Sequence, residues 1–292
     1  MAASGSAVAA AAAASPSDRL GVAEILAKSA RENFPVALGF LPPAERRRLE
    51  AIYGFARLVD DAGDLFAGDR VALLDWIEAD LDRAYEGRAE HPLMQRVSTL
   101  VRDLTLPRGP FIRLIEANRQ DQEVSRYATW EELAQYCALS ANPVGELVLH
   151  VFAAATPERV AWSDAVCTGL QLAEHWQDVG EDFARGRIYL PREDMERFEV
   201  TEVDVAAAQP SVAFANLMRF EVERARSCLR DGLPLVRSLR GRHRLAIAAY
   251  VGGGRAALDA VEQSGFDVLR RSPSAGTRAR LAATAGVLRE AR

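Results

Sequence analysis

Glu174, Asp178 and Asp182 stand at four-residue intervals in the stretch LQLAEHWQDVGEDFARGRIYLP, residues 170–191, with Glu181 beside them. On one helix, eight residues rise about 12 Å and drift only about 80° around the axis, so these carboxylates form a stripe. A second stripe lies in YGFARLVDDAGD, residues 53–64. There Asp60 and Asp64 are one turn apart, Arg57 lies one turn before Asp60 and Asp61, and Tyr53 one turn before Arg57. Like charges at i, i+4 destabilise a helix by roughly 0.2–0.5 kcal/mol per pair. Val166, Leu170, Leu172 and Val179 make the later helix largely interior, where desolvation adds to that cost. Something cationic must offset the carboxylates. Lys and Arg are one option and a hard divalent ion is the other. Oxygen ligands with no His or Cys in the pattern favour Mg²⁺ over zinc, and Mg²⁺ binds through one or two carboxylates plus phosphate oxygens. The arginines suit the same purpose, since a guanidinium fork matches phosphate. Facing each other across a bundle, the two stripes would surround one cavity with carboxylates.

Other chemistries are poorly represented. A single DxxxD on a helix usually marks a solvated face; the pairing of two such stripes on apolar helices, each with an arginine nearby, is what points to a site. His150, within LVLHVF, reads as a packed core side chain, and His175 falls off the carboxylate stripe. Cys137, Cys167 and Cys228 form no CxxC pair and have no adjacent His–Asp pattern, so they read as buried free thiols in a reducing compartment. GGG at 252–254 has a helical context and does not follow a strand, which argues against a dinucleotide fold. The net charge of −5 does not mark the chain as a nucleic-acid binder. The short run Arg46–Arg48 reads as a solvated helix face or a membrane-surface contact.

These residues need helices to position them, and apolar spacing at three- and four-residue steps runs through nearly the whole chain. The 292 residues are 49% hydrophobic and 26% charged, as in a globular protein. Helices are expected after Pro42-Pro43, over RVALLDWIEADLDRAYEG with an end at Gly87, and over RGPFIRLIEANRQDQE. Another spans TWEELAQYCALSANPVGELVLHVFAAA; it opens on a capping box, Thr129 with Glu132, and should kink or break at Asn142-Pro143. SDAVCTGLQLAEHWQDVGEDFA reads as one helix, and GRIYLPREDMERFEV as a loop with a short extended piece. Two or three more helices are expected between 209 and 269, with GGG cutting into one of them. No strand pattern, repeat or linker appears, so the expectation is one all-α domain over residues 20–270. Residues 1–19 read as a disordered Ala-rich tail, because a basic n-region is missing, and 271–292 as a C-terminal tail, either a loose helix or disordered. No run of about 18 strongly apolar residues suggests a membrane span, and a cytoplasmic location is expected.

ARLVDDAGD and QLAEHWQDVGEDFARGRIYLP resemble the two aspartate-rich motifs of the squalene and phytoene synthases, and the likeness extends from about Arg31 to about residue 265. RENFPVALGFLP and RYATWEELAQYCALSANPVGELVLHVF look like one branch of that family, the bacterial hydroxysqualene synthases of hopanoid biosynthesis. The resemblance implies a single-domain isoprenoid-synthase helical bundle with a central cavity, Mg²⁺ as cofactor and presqualene diphosphate as substrate. It implies metal and diphosphate binding by Asp60, Asp61 and Asp64 on one helix and by Asp178 and Asp182 on the other, with Asp60, Asp64, Asp178, Asp182 and Tyr53 at the catalytic centre. Glu174 stands where relatives commonly have Asn; its oxygens can still bind metal. Gln177 stands where they commonly have Arg and so removes a cation from the diphosphate end. Arg57, Asp121, Gln171, Gln177, Arg187 and Tyr189 are implied substrate contacts, with Asn33 and Phe34 in place of the serines that some relatives carry near the N-terminus. Arg185 is a further lid or phosphate residue. Phe34, Phe40, Phe55 and Trp176 are expected to line an aromatic cavity that shields a carbocation. In this branch loss of diphosphate gives a cation that water captures, without a hydride donor. The alternatives are a squalene or phytoene synthase joining two prenyl diphosphates, and a helical pseudoenzyme serving as an assembly module. The greasy substrate implies peripheral contact with the inner membrane, and neighbouring pathway enzymes are conceivable partners.

Overall fold

A computed structural model describes residues 39–292. Asn33, Phe34 and the Ala-rich segment 1–19 lie outside the described residues. Helix α1, Pro43–Asp64, starts at a proline suited to a first turn and buries Leu49, Ile52, Phe55, Leu58, Val59 and Ala62 along one side. It packs against α2 (Arg70–Tyr85), α3 (Pro92–Leu104) and α4 (Gly109–Gln120). Asp69 caps α2 by accepting from the Ala72 N–H at 2.9 Å. The sequence reading gives no element for α3, although Leu93, Val97, Leu100 and Leu104 have helical spacing.

Helix α5, Trp130–Ser140, is separated from α6, Asn142–Val151, by Ala141 alone, as Asn142-Pro143 predicts. The second half of the bundle is organised by α7, Pro157–Gln177, which contacts α5, α6, α11 (Val212–Asp231), α12 (Leu233–Ser238) and α13 (Gly241–Gln263). Trp176 is wholly buried on α7, and its indole N–H donates to the Glu221 carbonyl of α11 at 3.0 Å. The two walls are thus held by apolar packing that does not involve the carboxylates.

Three elements depart from the sequence expectation. The helix read through 163–184 ends at Gln177; Asp178 (φ −105°, ψ 15°) separates it from a six-residue helix, α8, Val179–Ala184. The cause is distant in sequence. The Gly180 N–H donates to the Val268 carbonyl at 3.1 Å, and a Cβ on Gly180 would lie 2.5 Å from the Leu269 carbonyl carbon. The 268–269 backbone thus captures an N–H that a continuous helix would use internally. GGG at 252–254 does not interrupt α13, which runs through it. The glycines serve close packing instead: a Cβ on Gly252 would meet the Thr284 N at 2.6 Å, and one on Gly254 the Leu170 side chain at 2.6 Å. Between 186 and 205 the extended piece is present, as a parallel bridge between Ile188 and Arg126, but it is followed by two short helices, α9 (Arg192–Arg197) and α10 (Glu202–Val205). Beyond Pro273 the chain forms helix α14, Thr277–Glu290, which packs along α13 and buries Val287. Among the described residues no helix is long and apolar enough to cross a membrane.

Two glycines should respond to alanine in opposite directions. Gly180→Ala forces a methyl into backbone and should destabilise the protein by about 1–3 kcal/mol in urea unfolding. Gly286, on α14, has open space where a Cβ would stand, with nothing within 4 Å. Gly286→Ala should therefore stabilise by up to about 1 kcal/mol through helix propensity. Equal, small effects at both positions would contradict the role given to Gly180.

Candidate active site

The two walls enclose a cavity of about 480 Å³. Helix α1 lines it with Leu49, Ile52, Tyr53, Ala56, Arg57, Asp60 and Asp64, one residue or two per turn, so that the wall grades from aliphatic to acidic along the helix. The opposite wall does the same: on α7 Ser163, Val166, Cys167 and Leu170 give way to Gln171, Glu174 and His175, followed by Asp178 at its end and Asp182 on α8. Arg185, Arg187 and Tyr189 close the acidic end, while Leu235 and Ile247 line the aliphatic one. Tyr53, Arg57, Asp60, Asp64, Asp121, Gln171, Glu174, Asp178, Asp182, Arg185, Arg187 and Tyr189 thus line one cavity.

The acidic end crowds buried carboxyls together. Asp60 accepts from the Asn118 amide at 3.1 Å, yet burial, with Asp64 and Asp121 adding to it, pushes its carboxyl up to about 7. Asp182 is likewise pushed up to about 7, by burial first and then by Asp178. Asp121 rises to about 6 through burial, although it accepts from the Tyr136 hydroxyl at 2.9 Å and faces Arg187. Burial also raises Asp178. Arg187 reaches across the cavity to Asp64, with Nη2 and Oδ1 2.8 Å apart. Among the described residues, Asp60, Asp64, Asp121, Glu174, Asp178 and Asp182 share the cavity wall with Arg57, Arg185 and Arg187.

This donor set suits a hard divalent ion. Among the described residues no three carboxylate, imidazole or thiolate groups converge tightly enough to hold a metal by themselves. Mg²⁺ needs no such cage: it takes one or two carboxylates and completes its octahedron with water and phosphate oxygens. Two walls that each present several carboxylates to the cavity match ions held between protein and a diphosphate.

Several expected site residues are placed elsewhere. Asp61 is buried beside Arg57, Nε to Oδ1 3.1 Å, and does not line the cavity. One residue along a helix is a 100° turn, so Asp61 orients Arg57 from the side. Gln177 is also buried off the cavity, and its amide donates to the Pro273 carbonyl. Phe55 packs edge-on against Phe111 at 5.0 Å, Trp176 faces α11, and Phe40 is exposed. None of these three lines the cavity; among the described residues its aromatic surface is Tyr53, Tyr136, Tyr189 and Tyr250, with His175. His150 is half-buried and lies away from the cavity.

His175 corrects the sequence reading in the other direction. It stands in the cavity, stacked on Tyr189 with ring centres 3.7 Å apart, with Nε2 3.2 Å from the Gln171 amide nitrogen and Nδ1 3.9 Å from Asp182 Oδ2. The break at Asp178 is the reason, because Asp182 no longer extends the line of α7 and comes back beside His175. Burial, reinforced by Arg187, lowers the imidazole to about 3, so the ring is neutral. A neutral ring that accepts from Gln171 through Nε2 carries its proton on Nδ1, on the Asp182 side.

Sequence reading misses Asn118 and Tyr136. Asn118 lies three residues before Asp121 on one helical face, a spacing that could have found it. Gly63 makes room for it, since a Cβ there would collide with the Asn118 amide. Gln122 donates to both the Gly63 and Asn118 carbonyls, at 3.1 and 2.9 Å, and ties the two helices together at this point. Tyr136 carries no local signal; its hydroxyl meets Asp121 only through the fold.

The squalene/phytoene synthase family profile matches residues 27–281. A hydroxysqualene synthase of Rhodopseudomonas palustris is 34% identical over 224 residues, 75% of either chain. A 15-cis-phytoene synthase of Synechocystis is 32% identical over 245 residues, 79% of this chain and 73% of that one. The crystal structure of squalene synthase HpnC from Alicyclobacillus acidocaldarius superposes with a TM-score of 0.77 at 39% identity, covering 87% of this chain and 99% of the other. A dehydrosqualene synthase structure, 23% identical with a TM-score of 0.81, shares the fold. The chain belongs to the squalene/phytoene synthase family.

Proposed function

We propose that the protein is a Mg²⁺-dependent hydroxysqualene synthase, which ionises presqualene diphosphate and captures the cation with water. The observation that carries this reading is the graded cavity: an acidic, arginine-bearing end suited to metal and diphosphate, continuous with an aliphatic and tyrosine-lined body suited to a long hydrocarbon. The likeness to hydroxysqualene synthases at 34% identity favours this reaction over others of the family. The C–O bond to diphosphate breaks, a new C–O bond forms to water, and the water's surplus proton leaves with the diphosphate or to solvent.

Asp60 and Asp64 would hold Mg²⁺ from one wall, and Asp178, Asp182 and Glu174 from the other. When bound, the metal neutralises charge that develops on the leaving diphosphate. Arg57, Arg185 and Arg187 supply the remaining positive charge, and Asn118 fixes the Asp60 carboxylate. The tyrosine faces and aliphatic walls exclude bulk water and stabilise positive charge on carbon. A second reading, condensation of two prenyl diphosphates, is favoured by the phytoene synthase relatives. The pseudoenzyme reading leaves the desolvated carboxylates without a purpose.

Purified protein with Mg²⁺ should convert presqualene diphosphate to an alcohol without NADPH, and in ¹⁸O-enriched water the hydroxyl should carry the label. An unlabelled alcohol, a requirement for NADPH, or turnover of simple prenyl diphosphates alone would transfer the assignment to the second reading. Asp60→Asn and Asp178→Asn should each lower kcat/KM on the order of 100- to 1000-fold with the circular dichroism spectrum unchanged. Near-normal turnover in both variants would remove these residues from the metal site.

The buried carboxyls also predict a pH dependence of stability. Asp60 and Asp182 sit near 7 in the fold against 3.8 for an ordinary aspartate. The native state therefore binds more protons than the unfolded chain between those values, and stability falls as pH rises through that window. The metal-free Tm should drop between about pH 4 and pH 7. Millimolar Mg²⁺ should raise Tm far more at the higher pH, because metal binding requires deprotonated ligands. A Mg²⁺ shift of equal size at both ends would show that these carboxyls do not control metal binding.

A further inference from the structure

The bundle is electrically polar along α1. Its last turns carry Asp60, Asp61 and Asp64, and its first turns Arg46, Arg47 and Arg48. Other helices reinforce the basic end. Glu45 takes Arg242 at 2.9 Å and His243 at 3.1 Å, which places the start of α13 beside that of α1. Arg244 donates to the Ala291 carbonyl at 3.1 Å, and Arg237 to the Glu290 carbonyl at 3.1 Å, which bring the ends of α14 and α12 to the same face. Two of the carboxylates here are committed: Glu45 as described, and Glu290 to Arg255 at 2.6 Å. Glu158 is exposed nearby at the start of α7. Arg47, Arg240 and Arg289 are exposed and form no ion pair among the described residues.

Large apolar side chains sit among these arginines. Phe40 is 45% exposed and Leu245 37% exposed. Leu245, Leu288 and Arg289 line a shallow groove between α13 and α14. The face also adjoins the aliphatic end of the cavity: Leu49 is one turn beyond Glu45, and Ile247 one turn beyond Arg244. The acidic end, with Asp64, Asp178 and Asp182, lies at the other extreme of the cavity.

From this arrangement we propose that the face formed by the starts of α1 and α13 and the ends of α12 and α14 docks on an anionic lipid bilayer. Phe40 and Leu245 enter the headgroup–acyl boundary and the arginines meet lipid phosphates, so the aliphatic end of the cavity looks toward the membrane. The net charge of −5 does not oppose this, because charges beyond a Debye length of about 8–10 Å are screened and the local cluster decides. The inference stands on the surface and the orientation of the cavity, and survives if the reaction proves to be another of the family.

Vesicle sedimentation of the full-length protein tests it. Binding should be strong to phosphatidylcholine vesicles containing phosphatidylglycerol, weak to phosphatidylcholine alone, and reduced by high salt. Each arginine removed should weaken binding about fivefold, so Arg47→Glu with Arg240→Glu should weaken it at least about 25-fold. Leu245→Asp should weaken it independently of salt. Arg278→Glu, at the opposite end of α14, should bind as the wild type does, and all variants should keep wild-type circular dichroism and wild-type turnover of detergent-dispersed substrate. The proposal is overturned if the wild type ignores anionic vesicles or if the double variant binds as tightly as Arg278→Glu. It is overturned equally if the patch variants dissolve a dimer in solution without changing vesicle binding, which would give the face to a second copy.

Discussion

Two acidic walls face each other across one cavity, and burial there raises the carboxyls of Asp60, Asp121, Asp178 and Asp182. Among the described residues Asp60, Asp64, Asp121, Glu174, Asp178 and Asp182 share that space with Arg57, Arg185 and Arg187. The rest of the site follows from this crowding of buried carboxyls. Asn118 gives Asp60 a neutral donor, Tyr136 gives one to Asp121, and Arg187 spans the gap to Asp64. These partners lessen the cost of burial without removing it, since Asp60 and Asp182 still hold protons up to about 7. A helix pair that relied on those groups for its own cohesion would separate. Here cohesion comes from behind the walls, where Phe55 and Leu58 anchor α1 and Leu172 and Trp176 anchor α7 in dry packing. The site can therefore be electrostatically unfavourable without a ligand and still keep its shape.

Breaks in helices set the finer geometry. Had α7 continued through Asp178, Asp182 would lie about 12 Å beyond Glu174 along a single axis. The capture of Gly180 by the 268–269 backbone turns α8 aside, bringing Asp182 within 3.9 Å of His175. Ala141 performs a similar service opposite: the break between α5 and α6 lets Tyr136 and Ser140 on one helix, and Val144 and Val148 on the next, face the same space.

Much of the site is legible in the sequence because its carboxylates repeat at helical spacing on helices whose other residues are plainly apolar. Asp60, Asp64, Asp178 and Asp182 need no tertiary information to be paired. Membership of a motif is a weaker guide than helical phase. Asp61 and Gln177 are neighbours in sequence of cavity residues, but a single step of 100° turns each of them into the protein. Phe55 and Trp176 are expected to line the cavity because they are aromatic, yet a large apolar ring is stabilised most by complete burial, and both lie in the core. The break at Asp178 has no local signal, since its cause lies some ninety residues onward at Leu269. The same holds for GGG at 252–254, whose glycines answer to Thr284 and Leu170 and not to the helix that contains them.

The tyrosines that the described residues place on the cavity wall bear on how a cation could be handled there. A phenol offers a π-face of the kind that attracts positive charge, but also an oxygen that could attack it. The structure limits the second property. The Tyr136 hydroxyl is spent on Asp121, and burial raises both Tyr136 and Tyr189 well above the usual phenol range, so both rings remain neutral and weakly nucleophilic. Tyr189 lies flat against His175 at 3.7 Å and also stacks with Tyr127 and Tyr136 at 5.9 and 5.7 Å, which holds its ring rigid. His175, neutral and engaged by Gln171, is likewise a poor quencher. A wall of this kind favours capture by a small mobile nucleophile over capture by protein, and on the proposed reaction that nucleophile is water.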